Sequence, residues 1–303
     1  MGLAGSRSST RAARSAKLGA SRGAASPRWF FHHQLKKPFF GRFMKPWRWP
    51  TDVAGDAAWQ HVQIDSRSGS RLQALVAEPA GPAAPCGVVV CAHPMGLAAK
   101  GFWLRYGHAQ RLLEAGFAVV VFDFNGFGES PSTGFDYPGD VLSVGHWAAA
   151  RYPGLALHML AASFGAIHTL SAISAPDFPF QKVVVEGCPP TLPDFWKAYP
   201  FAHAVLQVAR RIHPASEQHL RPVHHLPHMP AHVELLIIHS HADRWTPVAF
   251  GDALERAAGH PGRVRRLLLD RAEHTHGLRD EPERYWPAVH AFLDPSINPL
   301  SSQ

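Results

Sequence analysis

Cysteine is scarce in this chain of 303 residues, which contains Cys86, Cys91 and Cys188 alone. Three thiols make no disulfide framework, and this favours a reducing compartment, for which we expect the cytoplasm. Cys91 lies inside an apolar run and is interpreted as a buried small hydrophobic residue. No run of eighteen apolar residues occurs, so the sequence predicts no membrane-spanning helix.

Signatures of metal and nucleotide binding are also missing. Eight histidines lie between residues 213 and 241, but they lack the H-E-x-x-H spacing and no cysteine pair accompanies them. We therefore expect no metal site. The glycine-rich stretch "GFGES" lacks both the lysine of a P-loop and the G-x-G-x-x-G pattern, which argues against nucleotide binding.

Acidic residues are absent from residues 1–51, which hold eleven of the 30 lysines and arginines. The remaining 19 basic residues face all 23 acidic ones, so the rest of the chain has a net charge of −4. The overall charge of +7 thus belongs to a tail, and we expect no nucleic acid as a partner.

Residues 1–55 are predicted to be a basic, partly disordered extension, because their first half is rich in Ser, Ala, Gly and Arg. Three interpretations stay open. Residues 1 to about 28 are a transit peptide, or an arm that makes peripheral contact with anionic lipid or with a partner, or an overlong start with Met44 or another downstream codon as the real beginning. A targeting role would place the protein in an organelle or at a membrane surface.

Strand and helix patterns alternate from residue 56 onwards. Continuous apolar runs such as "GVVVCAH" and "AVVVFDF" are typical of strands buried on both faces of a parallel sheet. The sequence predicts an α/β domain over 56–298, with a mostly parallel, doubly wound sheet of about eight strands and a leading antiparallel hairpin. The predicted strands start with that hairpin and continue at 87–93, 118–124, 155–161, 182–187, 233–240 and 263–269; the predicted helices lie near 102–115, 140–150, 164 onwards, 249–258 and 283–292.

The interval of residues 188–232 is too long for a simple crossover between two strands. It carries Trp196, Tyr199 and Phe201. We interpret it as a small cap or lid insertion together with one crossover helix, and we expect Trp196 and Tyr199 to line a substrate pocket.

A serine follows the predicted strand that ends near residue 161, within "AASFG". Small residues lie two positions before and two after Ser163, which resembles the G-x-S-x-G turn that exposes a nucleophilic serine, with Ala161 in place of the first glycine. The plain alternative is that Ser163 is only the N-cap of the next helix.

Three more strand ends carry polar groups that would meet Ser163 at one edge of a parallel sheet. "CAHPMG" holds His93 and Met95, "HSHADRWTP" holds Asp243, and "LLLDRAEHTHGLRDEP" holds His274. Two alternatives stay open at these strand ends. His276 competes with His274, and Glu186, at the end of the preceding strand, competes with Asp243 as the acid.

The order Ser163, Asp243, His274, together with the turn "DFNGFGES", resembles the α/β-hydrolase superfamily over about residues 56–295. The similarity is greatest to its serine-aminopeptidase-like and dienelactone-hydrolase-like branches. The resemblance implies a Ser-His-Asp triad, an oxyanion hole made by the N–H groups of Met95 and Phe164, and no metal or organic cofactor. It also implies that "DFNGFGES" is a structural turn.

The function that these residues predict is hydrolysis of a small-molecule carboxylic ester or thioester through an acyl-enzyme. The same machinery would serve an acyltransferase or a peptidase, and the fold is also used by non-catalytic binding proteins. His93 is expected near the substrate pocket, where its imidazole holds the loop and is not the base. The sequence leaves the oligomeric state open.

Overall fold

The computed structural model describes residues 59–198, 200–212 and 220–294, together with residues 34, 36 and 43–45. Most of the predicted extension, together with Tyr199, lies outside these described residues. The strands are β1 (Gln60–Asp65), β2 (Arg71–Ala77), β3 (Gly87–Ala92), β4 (Phe117–Phe122), β5 (Leu157–Ala162), β6 (Lys182–Glu186), β7 (Glu234–Ser240) and β8 (Val264–Leu269).

Helices connect and cover these strands. They are α1 (Gly101–Arg105), α2 (His108–Glu114), α3 (Tyr137–Arg151), α4 (Phe164–Ala172), α5 (Leu192–Phe195), α6 (Pro200–Ile212), α7 (Pro222–His225), α8 (Val248–Ala258), α9 (Gly277–Asp280) and α10 (Pro282–Leu293), with short 3₁₀ turns at Trp196–Ala198 and Leu226–His228.

The eight strands form one sheet in the order β1-β2-β4-β3-β5-β6-β7-β8. β1 pairs with β2 and β2 with β4 in antiparallel fashion, and the other neighbours are parallel. Every residue of β3, β4 and β5 is buried, because apolar side chains pack against helices on both faces. The predicted sheet, its hairpin edge and its doubly wound character are confirmed.

The helical segment predicted over 102–115 is two helices in the structure. Gly107 separates α1 from α2 with φ at +79°, a left-handed conformation that glycine adopts without a steric penalty. The polypeptide turns there so that both short helices bury their apolar residues on one face of the sheet.

Residues 188–232 contain α5, α6, α7 and both 3₁₀ turns.

The N-terminal segment contacts the sheet domain through Lys36, which is fully buried. Its ammonium group lies 4.9 Å from the ring centre of Tyr137 and donates a hydrogen bond to the Asn125 side chain. Phe43 packs against the main apolar cluster. None of the helices in the described part of the chain is long and apolar enough to cross a membrane.

Candidate active site

Ser163 lies on a sharp turn between β5 and α4, with φ at +47° and ψ at −107°. The turn is held from both sides, because the Ser163 N–H donates to the Glu186 carbonyl at 2.9 Å and the Gly165 N–H donates to the His93 carbonyl at 3.1 Å. A Cβ at Gly165 would lie 2.1 Å from the Ala92 carbonyl oxygen. Only glycine therefore lets the helix start this close to β3, and this closeness exposes the serine at the strand edge.

Ser163, His274 and Asp243 form a continuous chain of hydrogen bonds. The His274 Nε2 atom is 2.9 Å from Ser163 Oγ, and His274 Nδ1 is 2.7 Å from Asp243 Oδ2. An ionised Asp243 can only accept, so Nδ1 carries the imidazole proton and Nε2 is left to accept the serine proton. Such an arrangement can serve as a nucleophile, a base and a group that orients the base.

Asp243 is held in place by its own loop. Its Oδ1 accepts the N–H groups of Trp245 at 2.8 Å and Thr246 at 3.0 Å, and the Thr246 hydroxyl donates to Oδ2. Burial works to raise the pKa of Asp243, but the hydrogen bonds from His274 and Thr246 outweigh it and hold that pKa below its ordinary value. The carboxyl group is thus ionised beside the imidazole at neutral pH.

The side chains of the two rivals that the sequence left open make other contacts. The His276 Nδ1–H group donates to the His274 carbonyl at 2.8 Å, and the His276 ring packs 4.8 Å from the Tyr106 ring centre. Glu186 accepts the Gly277 N–H at 2.8 Å. The structure thus brings His274 and Asp243 to Ser163.

His93 does not line the cleft beside Ser163. Its imidazole is fully buried, with Nδ1 2.8 Å from the Pro94 carbonyl and Nε2 accepting the Phe124 N–H at 3.2 Å. Burial is the main cause of its lowered pKa, so the ring is neutral and fastens the loop after β3 to the turn after β4.

That loop has a second anchor at its far end. Lys100 is fully buried, and its ammonium donates to Asp123 at 2.6 Å and to Glu129 at 2.7 Å. The Lys100 N–H also donates to Asp123 at 2.9 Å. The "DFNGFGES" turn therefore holds the loop that carries Met95.

An open cleft leads to Ser163, and its walls are mostly apolar. Trp196, which we expected at a substrate pocket, is one of the residues that line the cleft, and the others are Met95, Phe164, Ile167, Leu192 and Phe195. Phe195 also stacks on Trp245 with ring centres 6.1 Å apart.

Sequence reasoning missed Ile167, Leu192 and Phe195, although two of them had a local signal. Phe195 directly precedes Trp196 in the aromatic insertion, and Ile167 lies one helical turn after Ser163 on α4. Leu192 had no comparable signal, because its place depends on how α5 packs over the sheet.

Comparison with known proteins identifies the family and the fold. The family model described as serine aminopeptidase, S33, matches residues 83–257. No curated protein is similar enough in sequence to match. Among solved structures, the esterase Pf2001 of Pyrococcus furiosus is 18% identical, covering 82% of this chain and 94% of its own, with a TM-score of 0.64.

Two further structures are similar in the same way. XC6422 of Xanthomonas campestris, described as an α/β serine hydrolase without a lid, is 20% identical over 82% of this chain and 96% of its own, with a TM-score of 0.53. The acylaminoacyl peptidase of Pyrococcus horikoshii is 16% identical over 76% of this chain and 40% of its own, with a TM-score of 0.54. Such distant likeness establishes the fold, which is the α/β-hydrolase fold that the sequence predicted.

Proposed function

The chain belongs to the S33 serine aminopeptidase family of α/β hydrolases, and on that basis we propose that it hydrolyses a carboxylic ester or thioester through Ser163, His274 and Asp243. The observation that carries the proposal is the unbroken hydrogen-bond chain from Ser163 Oγ through the imidazole to the Asp243 carboxylate. Because S33 relatives and structural neighbours include peptidases as well as esterases, the choice of the ester rests on the cleft.

In the first half of the reaction, Ser163 Oγ attacks the carbonyl carbon while its proton moves to His274 Nε2. Asp243 stabilises the imidazolium cation that forms. The carbonyl electron pair moves onto oxygen, where the N–H groups of Met95 and Phe164 would hold it. Both residues line the cleft with Ser163, and Phe164 is the first residue of α4, so its N–H group lies at the N-terminus of that helix.

Collapse of this intermediate breaks the bond to the leaving group, which departs as an alcohol or thiol with the proton from His274. The acyl group stays on Ser163. Water then gives a proton to His274 and adds to the acyl carbon, and the second collapse returns the proton to Ser163 and releases the carboxylic acid. Each proton that leaves Ser163 is restored, so the protein is unchanged at the end of the cycle.

The lining of the cleft favours an ester substrate with an apolar acyl group rather than the substrate of an aminopeptidase. An aminopeptidase must hold the α-ammonium group of its substrate, and a buried cation without an anionic or polar partner is costly. No carboxylate is present among the described residues that line the cleft. Apolar walls instead suit an alkyl or aromatic acyl chain.

The test compares acyl p-nitrophenyl esters, an acyl thioester and an aminoacyl p-nitroanilide for the wild-type protein and Ser163→Ala. We expect kcat/KM to be highest for the esters or thioester and the activity of Ser163→Ala to fall to background with an unchanged thermal melt. Preferential cleavage of the anilide would favour the peptidase, which is the second candidate because of the family to which the chain belongs. Wild-type turnover by Ser163→Ala would overturn the mechanism.

The proposal also includes a reducing, cytoplasmic setting. Its support is the scarcity of cysteine, because Cys86, Cys91 and Cys188 make no disulfide framework. Burial raises the pKa of Cys91 and Cys188 above its ordinary value, so neither is activated as a nucleophile.

A further inference from the structure

The loop that carries His274 is fastened by carboxyl groups at both of its ends. On one side, Glu281 accepts the main-chain N–H groups of residues 270–272 at 2.6 to 3.0 Å. On the other side, Glu186 accepts the N–H group of Gly277 at 2.8 Å. The imidazole of His274 thus extends from a segment whose two ends are both fixed by side chains.

Glu186 differs from Glu281 because it also contacts the nucleophile turn. It is the last residue of β6, and its carbonyl oxygen accepts the Ser163 N–H at 2.9 Å. Its main chain therefore holds the Ser163 turn while its side chain holds the His274 loop. One residue on a buried strand inside the sheet thus joins the two segments that carry Ser163 Oγ and His274 Nε2.

The packing around this carboxyl group leaves little freedom. Glu186 is 4% exposed and Tyr285 is fully buried. A Cβ at Gly277 would lie 2.4 Å from the Tyr285 ring and 2.9 Å from Glu186 Oε1. The missing side chain of Gly277 is what allows the carboxyl group to reach the main-chain N–H, so the contact depends on close fit.

The groups that face the Glu186 carboxyl are the Gly277 N–H, the Tyr285 hydroxyl, and the more distant charges of His274 and Asp243. Burial is the largest influence and raises the pKa of Glu186 to about 7. A protonated carboxyl group still accepts a hydrogen bond through its carbonyl oxygen. The Glu186 carboxyl group can therefore accept the Gly277 N–H whether or not it is protonated. An uncharged side chain of the same length that carries an acceptor can replace Glu186 in this contact.

We propose that Glu186 is a positioning residue for His274, acting as a hydrogen-bond acceptor that joins the Ser163 turn to the His274 loop. The inference rests on the proposed function of Ser163 and His274. It gives Glu186 no part in proton transfer, which is the role of Asp243. A displacement of about 1 Å between reacting groups costs roughly a hundredfold in rate, so the loss of this tie should appear in kcat.

The experiment compares Glu186→Gln with Glu186→Met, two uncharged side chains of similar length. Glutamine keeps the acceptor for Gly277 and methionine removes it. With the best ester found for the wild-type protein, we expect Glu186→Gln to retain kcat within about threefold and Glu186→Met to lose roughly ten- to hundredfold, with KM nearly unchanged in both. Glu234→Met, at the opposite end of neighbouring β7, is the control and should behave as wild type.

Two outcomes overturn the proposal. Wild-type kcat in a folded Glu186→Met shows that the contact does not position His274. A severe loss in Glu186→Gln, with Asp243→Asn affected only weakly, makes the Glu186 charge itself necessary and gives Glu186 the role of the acid.

A spectroscopic measurement covers the case in which Glu186→Met folds poorly. The proton between His274 and Asp243 should give a low-field NMR signal that Glu186→Gln retains at the wild-type position. If Glu186→Gln shifts or loses that signal, the acceptor role is wrong. Failure of the proposed function itself is distinguishable, since it would show as full activity in Ser163→Ala.

Discussion

At Ser163 the backbone has φ at +47° and ψ at −107°, a conformation that costs about 1–3 kcal/mol for a residue with a Cβ. Among the described residues other than glycine, Ala99 and Thr275 also have positive φ, at +45° and +62°. Each lies in a different loop of the site: Ala99 in the loop after β3, and Thr275 next to His274. Strain of this kind persists only where surrounding contacts enforce it, and the carboxyl and ammonium anchors of these loops supply such contacts.

Glu186 should make stability depend on pH. Its folded-state pKa of about 7 lies above its ordinary value of 4.5. Between these two pKa values the folded protein keeps the proton on Glu186 while the unfolded chain has lost it. The stability that the protonated carboxyl group contributes is therefore complete below pH 4.5 and is lost as the pH rises through about 7. The wild-type protein should lose this stability between about pH 5 and about pH 8, whereas Glu186→Gln, which carries no ionisable group there, should not. The Tm of Glu186→Gln minus that of the wild-type protein should therefore grow by several degrees over this range. The measurement is calorimetry of both proteins across this pH range. A constant difference between their Tm values would contradict the burial of an ionisable carboxyl group at residue 186.

Trp196 should influence the choice of acyl chain. Its side chain lines the cleft beside Ser163 and packs on Phe195 with ring centres 5.3 Å apart. In Trp196→Ala, the ratio of kcat/KM between long and short acyl chains should change about ten- to two-hundredfold, since one apolar wall changes discrimination by about 1–3 kcal/mol. The measurement uses esters of two, four, eight and twelve carbons, and the control is Trp147→Ala on α3, which is not among the residues that line the cleft. A parallel loss for every chain length would make Trp196 a packing residue.

The sequence predicted Ser163, Asp243 and His274 as candidate site residues because each follows the end of a predicted strand. At such a position the residue type can be read directly from the local sequence. The contacts of Glu186 with Gly277 and of Phe195 with Trp245 had no such signal. They join residues 91 and 50 positions apart, and such contacts depend on how loops pack after the sheet has formed.

At the scale of elements, the strands were predictable because their apolar runs are continuous and strongly β-branched. Their observed ends differ from the predicted ones by only one or two residues. The break between α1 and α2 was not predicted, because the apolar pattern continues through the turn at Gly107. The length of residues 188–232 predicted an insertion, but the bounds of α5, α6 and α7 within it depend on packing that the local sequence does not specify.

The anchor of the loop after β3 should contribute strongly to stability. Lys100 and Asp123 are both fully buried and form an ion pair at 2.6 Å. Removing one partner leaves an uncompensated buried charge, so Lys100→Ala should lower the free energy of unfolding by about 3–5 kcal/mol. Lys45→Ala, which alters an exposed lysine, should change it little in the same denaturant titration. Equal stability of the two variants would show that Asp123 is satisfied without Lys100.

On the scale of the whole molecule, the chain divides by charge into a basic N-terminal part and a mildly acidic body. The sheet, the cleft and the hydrogen-bonded site all belong to the body. The described part of the N-terminal segment makes contact through Lys36 and Phe43, so the extension reaches the body near the turn after β4.

Removal of residues 1–28 should leave a soluble, active protein with an unchanged Tm, because that stretch holds too few apolar residues to bury a core. Its positive charge should act at anionic surfaces, so the truncated protein should lose any binding to vesicles that contain anionic lipid. Removal of residues 1–45 is the informative comparison and should lower the Tm, because Lys36 and Phe43 are lost with it. An insoluble or inactive protein after the shorter deletion would show that residues 1–28 are structural.

Covalent labelling with a fluorophosphonate, followed by intact mass and peptide mapping, tests most directly whether Ser163 is an activated nucleophile. The control variant is Ser174→Ala, because Ser174 also lies 2.9 Å from a histidine nitrogen, that of His225, outside the site. We predict one adduct per chain on Ser163 in the wild-type protein and in Ser174→Ala, and none in Ser163→Ala. No adduct on the folded wild-type protein, or an adduct that persists in Ser163→Ala, would contradict the account.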